Sequence, residues 1–124
     1  MNGVLLIGQS GIEYFYTPYP AADARWHADP ANYAFGAIDE AVAWRILYVG
    51  ETANLRARMR NHGQWSAAQR LGGTHVLVNL NAGGLRVRRV EERDLIAGYR
   101  PVLNTHHLRR PQERVKRMGY YPSR

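Results

Sequence analysis

An arginine and a glutamate stand where apolar side chains belong, and the chemistry open to this chain starts with them. A helical wheel turning roughly 100° per residue over residues 55–62 gathers Leu55, Arg58, Met59 and His62 on one face and sends Arg56, Arg60 and Asn61 elsewhere. A guanidinium on the apolar side of a helix needs an anion or a hydrogen-bond acceptor, because a buried unpaired charge is costly. The alternative is a residue at the edge of the stripe, its stem packed and its charge in water. Residues 91–99 pose the same problem with the opposite sign: Glu92 falls among Leu95, Ile96 and Tyr99, with Glu91, Arg93 and Asp94 off the stripe. That carboxylate must be expelled, neutralised or bound to a cation. Together they point to a polar site over a sheet, where the carboxylate can hold a divalent metal and the arginine can face phosphate oxygens.

The elements that must position these residues can be read along the chain. Residues 46–49 are a β-branched and aromatic run ending on Gly50, which suits a sharp turn, and Thr52 or Asn54 can cap the helix that follows. Residues 4–7 and 12–16 read as a hairpin with a longer loop; residues 17–20, TPYP, should break regular structure, and 21–30 can hold a short helical turn. Residues 32–38 read as a strand antiparallel to that at 46–49. A second short helix is expected around residues 65–71, closed by Gly72 and Gly73, and residues 74–80 alternate as a strand with one apolar face. Residues 85–90 are open between strand and helix start; residues 91–99 are helical up to Pro101, which closes the segment. The whole is α+β, a small central antiparallel sheet flanked by helices.

Composition limits the partners. The chain has 124 residues, no cysteine and a formal net charge of +7, which gives one domain without a disulfide framework or thiolate metal site. Residues 4–7 are too short an apolar run for a signal peptide or a membrane span, so a cytoplasmic protein with no membrane partner is expected. Lys116 is the one lysine among 17 basic residues, and arginine favours bidentate contacts with phosphate; a GC-rich genome would leave the same bias. Beyond Asn104 stand Arg109, Arg110, Arg114, Lys116, Arg117 and Arg124 against Glu113 alone. This tail binds phosphates or is simply solvated charge. Tyr14, Tyr16, Tyr19, Trp26 and His27 make the first thirty residues aromatic, suited to filling the core or to stacking on bases. His75, His106 and His107 have no partners at metal-ligand spacing.

With Tyr48-Val49-Gly50, Arg58, His62, Glu92 and Asn104 in that order, the chain resembles the GIY-YIG nuclease superfamily. Tyr48-Val49-Gly50 looks like the second triplet, and Arg58, eight residues after Gly50, falls where the family's helix carries its arginine. Glu92-Arg93-Asp94-Leu95-Ile96, then Pro101 and Asn104, is similar to the family's E-x-x-L-I…P…N ending. The first triplet falls at Ala31-Asn32-Tyr33, of which only the tyrosine is kept. Residues 31–104 carry the resemblance, leaving 1–30 as an extension packed on the core and 105–124 as a basic tail.

The resemblance implies a metal-dependent endonuclease that hydrolyses phosphodiester bonds, with DNA favoured over RNA. Glu92 would hold Mg²⁺ or Mn²⁺, Arg58 would stabilise charge growing on the phosphoryl oxygens, and Tyr33 or Tyr48 would help deprotonate the attacking water, assisted by His62 as base or orienter. Gly50 and Asn104 would be structural neighbours of the site. Arg56, Arg60 and the basic tail would bind nucleic acid, with monomer and homodimer both open. The alternative is a non-catalytic nucleic-acid-binding module or assembly subunit on the same scaffold.

Overall fold

A computed structural model describes residues 3–104; Arg109, Arg110, Arg114, Lys116 and Arg117 lie outside them. Five strands, β1 (Val4–Ile7), β2 (Glu13–Pro20), β3 (Ala31–Ile38), β4 (Trp44–Thr52) and β5 (His75–Leu80), pair antiparallel in the order β1-β2-β5-β3-β4. Helices α1 (Leu55–Arg60) and α2 (Gly63–Arg70) follow β4, and α3 (Leu85–Tyr99) follows β5. The architecture is therefore α+β. Residues 1–30, set apart by sequence, contribute β1 and β2 to the same sheet. Among the described residues no helix is long and apolar enough to cross a membrane.

Alternation along the strands divides the core into two layers. Tyr33, Phe35, Leu47, Val76 and Val78 meet Leu55 of α1 and Ala68 of α2 on one face. Leu6, Tyr16, Ala34, Ile46, Val49 and Leu77 meet Leu95 of α3 on the other. A bulge adjusts this pattern in β4: Phe35 pairs with Tyr48 and Gly36 with Ile46, leaving Leu47 unpaired. The extra residue lets Leu47 and Tyr48 pack on the same layer. Helix α3 spans the opposite layer and touches both edge strands. The Ile7 amide of β1 donates to Tyr99 Oη at 3.0 Å, and Arg88 Nε donates to Glu51 of β4, also at 3.0 Å. A sheet whose two edges both reach one helix must curl around it.

Four expectations change. Residues 17–20 do not break the sheet: they pair with 75–78 of β5, whereas β1 pairs only with residues 13–16 of β2. Pro18 and Pro20 therefore lie beyond β1, where a missing N–H costs no ladder bond. Gly50 is not a turn, because β4 runs on through it to Thr52. Helix α1, capped by Asn54, ends at Arg60, so His62 lies outside it and instead caps α2. In α3, which takes in the whole of residues 85–90, the buried stripe is Arg88, Glu91 and Leu95. Glu91 rather than Glu92 faces the sheet, because the sheet supplies it with polar partners.

Candidate functional site

Tyr33 rises from β3 and lies across β4 over Gly50, where an added Cβ would sit 2.5 Å from Tyr33 Oη and 2.6 Å from Cζ. Glycine is required here for the close approach of a ring, not for a turn. The chain between α1 and α2 then brings His62 over the same ring. The Gln64 amide donates to His62 Nδ1 at 3.1 Å, so the neutral imidazole carries its proton on Nε2, which stands 2.7 Å from Tyr33 Oη. His62 therefore donates to Tyr33. Burial, and then the charge of Arg58, lower its pKa to about 4, so it is neutral near pH 7. With Nδ1 occupied and Nε2 protonated, both ring nitrogens are engaged within the protein.

Arg58, partly buried on α1, donates from Nη1 to the Asn61 carbonyl at 3.4 Å, and its charge lies close enough to Tyr33 and Tyr48 to interact with both. Its burial opposes the charge, but the two tyrosines more than offset this and its pKa is raised. The same burial pushes the Tyr33 hydroxyl well above the usual phenol range; Tyr48 adds to the shift and Arg58 reduces it. Aromatic packing fixes the group. Phe35 stacks on Tyr48 with centroids 5.4 Å apart and meets His62 at 4.7 Å and Trp65 at 4.9 Å edge-on. Asn104 secures the strand beneath: its Oδ1 accepts from the Val49 amide at 2.9 Å and its Nδ2 donates to the Val49 carbonyl at 3.1 Å. Since β4 is an edge strand, one side chain supplies both bonds that a further strand would have made.

Glu92 stands apart from this group, on the α3 side of the sheet. It is half-buried, and desolvation followed by the nearby Glu51 carboxylate raises its pKa, against the smaller influence of Arg89 and Arg93. A half-buried carboxylate with raised pKa is a donor suited to a divalent cation, and Glu92 alone fits the implied ion, because Glu51 is already paired with Arg88. Among the described residues no group of three or more histidines or acids is gathered for a metal. Arg56 and Arg60 are exposed on α1.

Sequence reasoning missed a polar layer under α3. Glu91 Oε2 accepts from Tyr16 Oη at 2.6 Å and from Asn79 at 2.9 Å, Asn81 bonds Asn32 at 2.9 Å, and Asn32 donates to the Arg88 carbonyl at 2.8 Å. With the Arg88–Glu51 pair these bonds satisfy the buried charges. Alternation alone hid them, since Asn32 and Asn79 look like solvent-facing strand positions. No protein-family model, no curated protein and no solved structure matches the chain.

Proposed function

We propose that the protein hydrolyses phosphodiester bonds in nucleic acid as a metal-dependent endonuclease of the GIY-YIG type, with DNA the first substrate to try. One observation carries the reading. Four residues singled out by the resemblance come together: the rings of Tyr33, Tyr48 and His62 pack on one another, and the Arg58 charge lies close enough to act on all three, although they come from two strands, a helix and a helix cap. Arg58 would neutralise charge developing on the phosphoryl oxygens. Its bond to the Asn61 carbonyl limits where it points before substrate arrives, which lowers the reorganisation left for the transition state. Tyr48, half-buried where Tyr33 is enclosed, would meet the attacking water, while His62 and Tyr33 position the arginine.

Glu92 would hold the divalent ion, which when bound would supply Lewis-acid stabilisation of the phosphate. Tyr48 and Glu51 point to opposite faces of β4, so a phosphate across the end of that strand would be approached from both.

The placement of Arg58 and Glu92 on helices over opposite faces favours a second reading, a nucleic-acid-binding module without hydrolysis. Metal-dependent cutting separates the two: the nuclease requires cleavage lost in Glu92→Ala and in Arg58→Ala, and the binding module requires salt-sensitive binding with no cleavage by the wild type.

A further inference from the structure

On the face that carries Arg58, but not lined by Tyr33 or Tyr48, a cavity of about 380 Å³ opens between β2, β5 and the segment before β3; Phe15, Tyr19, Arg25, Trp26, His27 and Leu55 are among its lining residues. We propose that this cavity binds one unstacked nucleobase of a nucleic-acid strand, with Arg25 on the adjoining phosphate. The inference rests on the nucleic-acid reading above and extends it to the substrate form, a strand with unpaired bases.

Three observations carry it. The walls are aromatic and partly open: Phe15 is 57% and Tyr19 42% exposed, surfaces costly to leave in water but suited to the flat face of a base. Trp26 is held rather than loose, packed on the core and edge-on to Tyr19 with centroids 6.0 Å apart, so a platform exists before the ligand arrives. Among the described lining residues the charge is one-sided, since Arg25 lines the cavity and no described carboxylate does. A planar apolar ring joined to an anion matches that combination, and the volume lies within the range of small-ligand pockets.

Position ties the cavity to the proposed site. Leu55, the first residue of α1, lines it, and Arg58 is one turn further along the same helix. That turn rises about 4.5 Å, on the scale of one to two nucleotide steps along a strand. The segment stays in place because the Leu55 amide donates to the Asp29 carbonyl at 2.9 Å and the Arg56 amide to the His27 carbonyl at 3.0 Å. A base held by Trp26 would thus set which phosphate comes to Arg58.

The test is binding of the full-length protein in EDTA to fluorescein-labelled 15-mers: a single strand, the same strand with three central abasic sites, and a duplex. The expected result is roughly tenfold weaker binding of the abasic strand, with the difference abolished in Trp26→Ala and in the exposed-site variant Tyr19→Ala, whereas Arg25→Ala weakens the intact and abasic strands alike. Circular dichroism checks the fold of each. Equal binding of intact and abasic strands by the wild type overturns the cavity while leaving the nuclease reading to its own cleavage assay. Discrimination that persists in both Trp26→Ala and Tyr19→Ala places the base elsewhere and also overturns it. Absence of binding to every strand overturns both readings together.

Discussion

Burial separates the two tyrosines that flank Arg58. Tyr33 is 1% exposed and its oxygen accepts from His62, whereas Tyr48 reaches solvent at the same guanidinium. Tyr48→Phe is therefore expected to lower turnover about a hundredfold with little change in stability. Tyr33→Phe, which leaves His62 Nε2 without an acceptor, should cost about 1–3 kcal/mol. Thermal melts set beside turnover decide it, and an inactive Tyr33→Phe with an unchanged melt would exchange the two roles. His62 makes a pH prediction. Its folded pKa, lowered to about 4, lies below an unfolded value of about 6.5. Between those values the unfolded chain takes up a proton that the fold refuses, so stability falls as pH drops through the window, by on the order of 2 kcal/mol. Denaturant titrations from pH 7 to 4 should show that slope, flattened in His62→Gln; an identical slope in the variant would mean that His62 is not buried neutral.

At the scale of elements, legibility followed the strength of the repeating pattern. The strand at residues 32–38 and its antiparallel neighbour at β4 were readable because β-branched and aromatic runs were separated by a short polar turn. The wheel over α1 puts Arg58 beside Leu55, which is buried, and the structure leaves Arg58 itself only partly buried. What failed was local chemistry that depends on distant partners. Glu91 looks solvated until Tyr16 and Asn79 are brought to it, and Gly50 looks like a turn until Tyr33 lies across it. Gly50→Ala should destabilise by about 1–3 kcal/mol, and Tyr33→Phe should relieve part of that cost by removing the hydroxyl that the methyl meets. A strictly additive double mutant would place the ring elsewhere. Asn104→Ala should expose the outer edge of β4, seen as faster hydrogen exchange at the Val49 amide than at Ala34; equal protection would mean that Asn104 does not hold the strand.

For the whole molecule, the arginine-rich composition fits a phosphate partner or a GC-rich genome, and the sheet decides which residues share a side. Curling around α3 leaves the opposite face to α1 and α2, so Arg58, the exposed Arg56 and Arg60, and the aromatic cavity share a side. The order β1-β2-β5-β3-β4 was not legible, because insertion of β5 between β2 and β3 is a choice among long-range pairings that no local pattern fixes. Binding to nucleic acid by such a surface should weaken steeply with salt as phosphate contacts release counterions. Affinity independent of salt between 50 and 200 mM would argue against an electrostatic surface.

The decisive measurement is cleavage of supercoiled DNA with Mg²⁺ or Mn²⁺ and with EDTA, comparing wild type with Glu92→Ala and Arg58→Ala, each checked for fold by circular dichroism. The nuclease account predicts metal-dependent cutting by the wild type, reduced about 10²–10³-fold in Arg58→Ala and lost in Glu92→Ala. Cutting that neither substitution changes, or no cutting of any strand or duplex by a folded wild-type protein, would contradict it.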